Sequence, residues 1–164
     1  MSLEGPNELF IYELSAMYDG EKKIAEMLSQ ATEQVSDGRL AGTLRAYLDE
    51  TRQQASNLEQ CFELLAEAPR EVGCAAIDGV RQEYQDVVGQ EPAPEVLTMY
   101  LLGSAMRVEH YEIGAYRSLV DKALLMGEAE CALLLQTNLV QEEDTATRLE
   151  RINHEMSERV LAEA

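Results

Sequence analysis

Four long segments of the chain carry an apolar stripe that turns acidic near its middle. Along each segment apolar residues recur every three or four positions, which is the spacing of one face of an α-helix. In the first segment the stripe passes Met17, meets Glu21 and continues at Ile24. Helices of about 28 residues are roughly 40 Å long, so the acidic levels can coincide when such helices pack side by side. The other stripes place their glutamates as follows: Glu50 on the flank of the second, Glu109 and Glu112 within the third, and Glu142 within the fourth with Glu143 at its edge.

Burying glutamates on an apolar stripe has a large free-energy cost. An isolated carboxylate removed from water costs several kcal/mol, and like charges close together add to that cost. Such groups must therefore be protonated, paired with a cation or bound to a metal. Facing carboxylates in a helix bundle are the ligands of dinuclear iron and manganese sites. A second interpretation stays open, in which each glutamate reaches solvent at the bundle edge or pairs with Arg or Lys.

Composition and charge restrict the partners. The 164 residues include 13 Lys and Arg against 31 Asp and Glu, a net charge of −18. This charge argues against binding to nucleic acid or to anionic membranes. No signal peptide and no membrane-spanning apolar run is visible. The three cysteines, Cys61, Cys74 and Cys131, are scattered and odd in number. They favour a cytoplasmic protein with free thiols, of which Cys74 is the one expected to be exposed.

Turn signals divide the chain into helices. Asn7 is expected to cap the first helix, and Ser36-Asp37-Gly38 to end it. The predicted long helices cover about 7–35, 40–67, 95–125 and 128–158, with a short helix at about 75–87. Two helical hairpins with short loops are thus joined by one long crossover that contains the short helix. This all-α pattern predicts a ferritin-like antiparallel four-helix bundle, a single domain over residues 1–164, with the first and third long helices as neighbours.

The sequence resembles the YciE/YciF-like bacterial stress proteins of the ferritin-like superfamily. The resemblance covers about residues 8–150 and implies a rubrerythrin-like bundle, usually dimeric, with poorly defined metal content and activity. Carried over by position, it implies a metal site of Glu21, Glu50, Gln54, Glu109, Glu112, Glu142 and Glu143. The blocks that carry the resemblance are LSAMYDGEKKIAEML from Leu14, YLDETRQQASNLEQCFELL from Tyr47, Cys74 with Asp78-Gly79, VEHYEIGAYRSL from Val108 and LVQEEDTATRL from Leu139.

The chain departs from the familiar di-iron pattern, which pairs Glu with a His three residues later in the second and fourth helices. Here the residue three positions after Glu50 is Gln53. The residues three positions after Glu142 and Glu143 are Thr145 and Ala146. Without these imidazoles the site is oxygen-rich and suits manganese, weakly held iron, another hard cation or no metal. Seam periodicity favours Glu142 over Glu143 as the inward residue, whereas the resemblance leaves both open.

Four tyrosines are placed near the acidic level. Core packing with a satisfied hydroxyl is the expected role of each, and a hydrogen bond to a carboxylate is the alternative. The two histidines, His110 and His154, are expected at the surface. The tyrosines are Tyr18, Tyr47, Tyr111 and Tyr116.

Two functions remain open, and whether the protein is an enzyme is open with them. The first is a metal-binding, ferritin-like stress-response protein with up to two iron or manganese ions, which handles iron or peroxide. The second is a non-catalytic bundle without metal, whose carboxylates are protonated and which acts through a partner or an assembly.

The protein is predicted to be a homodimer, because the resemblance implies one and because long helices leave lateral apolar strips such as Ile11, Leu101 and Leu133. Sedimentation at about 0.15 M salt, where the Debye length is about 8 Å, should show a dimer. A monomer at high protein concentration under these conditions would contradict the prediction.

Overall fold

Five α-helices make up most of the described part of the chain, and no strand occurs in it. The computed structural model describes residues 3–35 and 38–163, with side chains described as far as Glu158. The predicted break at Ser36 and Asp37 lies outside the described residues. The helices are α1 (Pro6–Gln34), α2 (Gly38–Leu64), α3 (Ala75–Val88), α4 (Pro94–Leu125) and α5 (Ala129–Glu163).

Helix ends follow backbone chemistry. Pro6 occupies the first turn of α1 behind Gly5, which stands at the N-cap, so the expected cap residue Asn7 lies inside the helix instead. A proline there loses no hydrogen bond, and its fixed φ suits a helix start. Helix α2 ends three residues earlier than predicted, and Ala66 beyond it adopts a φ of 52°. Gly127 turns the chain between α4 and α5 with a φ of 80°.

The four long helices contact one another in a ring, in which α1 packs against α2 and α4, and α5 packs against the same two. Cross-helix pairs give the directions. Glu13 of α1 pairs with Lys122 of α4 at 2.7 Å, whereas Glu21 farther along α1 meets Tyr116. The residue numbers of the α4 partners fall as the residue numbers along α1 rise, so α1 and α4 are antiparallel. The first and third long helices are therefore neighbours.

The same comparison applies to α2 and α5. Asn57 bonds to Asn138, whereas Glu50, nearer the start of α2, bonds to Arg148. These helices are also antiparallel. Helix α3 lies in the crossover and packs against α1 and α4. Arg81 of α3 pairs with Glu26 of α1 at 2.7 Å.

Two apolar clusters fill the interior on either side of the glutamate level. On α1, Met17 belongs to one cluster and Ile24 to the other, and Glu21 stands between them. On α4, Ile113 and Val108 belong to different clusters in the same way. Burial of these side chains holds the helices in register, since each fully buried Leu, Ile or Phe contributes about 1.5–3 kcal/mol.

Three surface expectations are corrected. Ile11 is 1% exposed and Leu101 is 8% exposed, so they pack inside this chain rather than on a lateral strip, whereas Leu133 is 69% exposed. Helix α3 packs against α4, and its Tyr84 lines the same cavity as Leu101. Cys74 is also buried, and its thiol lies 3.3 Å from the Tyr111 hydroxyl. No helix in the described residues combines the length and apolarity that crossing a membrane requires.

The turn at Gly127 yields a stability prediction. Replacing Gly127 by Ala forces an L-residue into the left-handed region and should destabilise the protein by about 1 kcal/mol. A Cβ there would meet nothing within 4 Å, so the cost is one of backbone conformation alone. Gly42, within α2 and equally open, is the matched control, and Gly42→Ala should stabilise by about 0.5–1 kcal/mol. Urea unfolding measures both, and a Gly127→Ala variant as stable as the parent would contradict this turn geometry.

Candidate metal centre

Four glutamates from three helices meet in the interior. Glu21 comes from α1, Glu109 and Glu112 from α4, and Glu142 from α5. None of the four exposes any surface. Glu21, Glu112 and Glu142 each offer one carboxylate oxygen, and these three oxygens lie within 4.8 Å of one another. Each glutamate sits on an apolar stripe, so helix packing carries all four inward to one level.

Most of the oxygens in this cluster have no hydrogen-bond partner among the described residues. Both oxygens of Glu109 and both of Glu142 are unpartnered, as is one each of Glu21 and Glu112. The side-chain oxygen of the buried Gln54 joins them. A buried acceptor without a donor costs about 1–3 kcal/mol, and more when it is charged. The arrangement therefore requires protons or a cation.

Two buried tyrosines supply the hydrogen bonds that the carboxylates do receive. The Tyr47 hydroxyl of α2 donates to Oε2 of Glu112 at 3.1 Å. The Tyr116 hydroxyl of α4 donates to Oε1 of Glu21. For these two tyrosines the hydrogen-bonding alternative holds, because the rings pack in the core and their hydroxyls face the carboxylates. Each donated bond fixes one oxygen and leaves the other oxygen of the same glutamate free.

A chain of amide side chains extends the Tyr116 contact toward the outside. Gln53 donates to Asn57 at 3.0 Å, and Asn57 donates to Asn138 at 2.6 Å. Asn138 in turn donates to the Tyr116 hydroxyl at 3.1 Å. Every bond is directed toward Glu21, so the network holds Tyr116 in the orientation in which it donates to that carboxylate. Such outer partners orient the groups they contact.

Burial shifts the acidity of all four glutamates in the same direction. Loss of solvation raises the pKa of Glu21 and that of Glu142 to about 8, and each gains a further increase from a neighbouring carboxylate. Loss of solvation and the charge of Glu142 raise the pKa of Glu109 to about 10. The pKa of Glu112 also lies well above its ordinary value, for the same reasons. Without a cation the cluster therefore retains protons at neutral pH.

The two remaining glutamates predicted for the site, Glu50 and Glu143, are not part of the fully buried cluster. Glu50 stands at the cluster edge with 25% of its side chain exposed, and both its oxygens are bonded to Arg148. Glu143 points outward, with its side chain 43% exposed, and pairs with Arg117 at 2.6 Å. The periodicity argument that favoured Glu142 therefore agrees with the observed burial of Glu142. Gln54 is buried beside the cluster.

Sequence reasoning missed four residues of the surrounding shell. Asn57 and Asn138 are buried polar residues that continue the stripes, Asn57 three positions after Gln54 and Asn138 four before Glu142. Their stripe positions were a usable signal. Thr145 and Arg148 both bond to Glu50. Nothing in the α5 stripe alone indicates that contact, because it depends on where α2 lies.

Comparison with known proteins identifies the family. The model of the family described as a domain of unknown function, DUF892, matches residues 5–162. The chain belongs to the DUF892 family. Protein YciF of Escherichia coli K12, 29% identical over 150 residues, aligns with 91% of this chain and 90% of its own length. The resemblance inferred from the sequence is thus confirmed.

Solved structures agree with this assignment. The crystal structure of the E. coli stress protein YciF has a TM-score of 0.90 at 27% identity, covering 95% of this chain and 99% of that one. YcfI of Rhodopseudomonas palustris, described provisionally as a structural protein, has a TM-score of 0.86 at 32% identity, covering 91% and 95%. The DUF892 chain therefore shares its all-helical fold with these relatives.

The raised pKa values predict how the metal-free protein responds to pH. An unfolded glutamate titrates near 4.5, whereas Glu21 and Glu142 titrate near 8 in the folded chain. The stabilising contribution of their protonated forms is complete below about pH 4.5 and is lost as the pH rises through 8. The melting temperature in the presence of a chelator should therefore fall between pH 5 and pH 8.

Glu112→Gln should reduce the fall of the melting temperature between pH 5 and pH 8, because it removes one titrating group and its repulsion of Glu21 and Glu142. Glu143→Gln is the matched control, since it removes an exposed carboxylate of α5 and should leave the decline unchanged. Thermal unfolding followed by circular dichroism measures all three proteins. A melting temperature that rises over this range, or equal slopes for the parent and Glu112→Gln, would contradict the prediction.

Proposed function

We propose that this DUF892 protein is a single-domain, ferritin-like four-helix bundle that binds iron or manganese in its core and acts in stress protection by handling iron or peroxide. The observation that carries the proposal is the cluster of Glu21, Glu112 and Glu142. It brings three carboxylate oxygens within 4.8 Å of one another in a fully buried site. The unpartnered oxygens of Glu109 support it further, since they lack any donor among the described residues.

The arrangement of helices supports the ferritin-like part of the proposal. Two hairpins, α1–α2 and α4–α5, are joined by a long connection containing α3, and neighbouring long helices are antiparallel where their contacts are described. This is the connectivity of bundles that carry carboxylate metal sites. The stress-protein description of E. coli YciF supports the physiological part. Three free, buried cysteines favour the reducing cytoplasm.

The donor set fits a hard cation. Glu21, Glu112 and Glu142 would hold the ion, with Glu109 and Gln54 supplying further oxygens beside them. Among the transition metals, oxygen ligands without imidazole suit manganese best and hold iron more weakly, and they also fit other hard divalent ions. A bound iron or manganese ion would supply redox chemistry toward peroxide. Tyr47 and Tyr116 would orient Glu112 and Glu21 through the hydrogen bonds described above.

A second candidate function is favoured by the proton affinity of the same cluster. The pKa values of about 8 and about 10 at Glu142 and Glu109 allow the carboxylates to remain neutral without metal. The provisional description of the R. palustris relative as structural points the same way. In this alternative the protein is a non-catalytic bundle that acts through a partner or an assembly. The proposed homodimer fits either candidate, and of the residues named for its strip Leu133 is the exposed one.

Metal titration separates the two candidates. The parent protein should take up Mn²⁺, measured by plasma mass spectrometry after dialysis, and its melting temperature should rise because the ion binds only the folded state. The double variant Glu21→Gln with Glu112→Gln should lose both effects. Without metal, the same variant should be as stable as the parent or more stable, since it removes buried repulsion.

The matched control replaces two exposed carboxylates of α5, Glu143→Gln with Glu150→Gln, and should retain the ion. Anaerobic titration with Fe²⁺ repeats the test for iron. A parent protein that takes up neither ion would overturn the metal proposal and favour the second candidate. Equal metal uptake by the parent and the Glu21, Glu112 double variant would show that these glutamates are not the ligands.

A further inference from the structure

Glu50 is held by a cation that belongs to the chain itself. Nη2 of Arg148 lies 2.8 Å from Oε1 and 2.7 Å from Oε2 of Glu50. The Thr145 hydroxyl donates to Oε2 at 2.7 Å. Both carboxylate oxygens are therefore engaged, unlike those of Glu109 and Glu142. The Glu50 side chain is 25% exposed and that of Arg148 39% exposed, so the pair closes the α2–α5 edge of the cluster.

Glu50 is nevertheless a neighbour of the buried glutamates. It stands one turn before the buried Gln54 on α2, and its negative charge contributes to the raised pKa of Glu109. A second metal ion at this edge would need the oxygens of Glu50 and Glu109. The three oxygens that lie within 4.8 Å of one another belong instead to Glu21, Glu112 and Glu142, a group that does not include Glu50.

We infer that the Arg148 guanidinium neutralises Glu50 in the place of a second metal ion, so that the protein binds one divalent ion per chain rather than two. This inference rests on the proposed function and specifies it. A guanidinium bonded to both Glu50 oxygens competes for the ligand, and its positive charge repels a divalent ion at the same edge. Arg148 is thus a residue that sets the stoichiometry of the site.

The side chain at position 145 acts in the same direction. The di-iron pattern places a histidine three residues after the glutamate of the fourth helix, where this chain has Thr145. Thr145 donates a hydrogen bond to Glu50 and so strengthens the contact with Arg148. Threonine at position 145 therefore removes an imidazole ligand, and its hydrogen bond helps to keep the Glu50 carboxylate engaged within the chain.

The ordinary interpretation treats Glu50 and Arg148 as a partly exposed ion pair, which contributes little to stability and nothing to metal binding. The two interpretations differ in the expected effect of removing the guanidinium. If the Arg148 guanidinium takes the place of a second metal ion, its loss leaves the Glu50 carboxylate free to bind that ion. If the pair is only a surface contact, the number of bound ions does not change.

The test counts Mn²⁺ bound per folded chain by plasma mass spectrometry and calorimetric titration. The parent should bind one ion and give the hyperfine-split paramagnetic resonance spectrum of isolated Mn²⁺. Arg148→Gln should bind two and give the broadened spectrum of a coupled pair. Arg148→Lys keeps the charge and should bind one. Arg117→Gln removes the cation that pairs with the exposed Glu143 and is the matched control, also expected to bind one.

Each outcome bears on the inference. Two ions in the parent would overturn it and leave the proposed function standing. No ion in the parent would overturn the proposed function and this inference with it. One ion in both the parent and a folded Arg148→Gln would show that Arg148 does not limit the site. Should Arg148→Gln fail to fold, Glu50→Gln decides: it should still bind one ion, and loss of that ion would make Glu50 a ligand and overturn the inference.

Discussion

The fold depends on how four carboxylates are accommodated in an apolar interior. Glu21, Glu109, Glu112 and Glu142 expose no surface, and most of their oxygens lack a donor among the described residues. Charged in that environment, they would repel one another strongly and oppose packing of the helices. The chain therefore folds around a layer that is neutral only when it holds protons or a cation. Burial raises the proton affinity of all four carboxylates.

The surrounding structure keeps this layer in place. Apolar clusters lie on both sides of it, and Met17 and Ile24 belong to opposite clusters on either side of Glu21. Tyr47 and Tyr116 fix one oxygen each, and the amide side chains of Asn57 and Asn138 hold Tyr116. Packing and hydrogen bonds within the chain therefore fix the positions of these carboxylates in the structure.

The relatives place this arrangement in a wider family. The fold is shared with E. coli YciF and with a R. palustris protein at 27% and 32% identity, so most side chains can change while the helices keep their order. Function belongs to the site rather than to the fold. In this chain Gln53 and Thr145 stand where the familiar di-iron pattern has histidine, and Thr145 and Arg148 both bond to Glu50.

The sequence by itself determined the helices and the four inward glutamates. Glycine and proline signals placed the helix ends within a few residues, and the three-four spacing fixed which side of its own helix each residue occupies. Residues at the margin of a stripe depended on the tertiary structure, because burial there is decided by a neighbouring helix. Tyr84 of α3 lines the same cavity as Leu101, and the position of α2 brings Glu50 to Arg148. Periodicity gives the direction in which a side chain leaves its own helix axis. Contacts between helices decide whether a residue at the margin of a stripe is buried, paired or exposed.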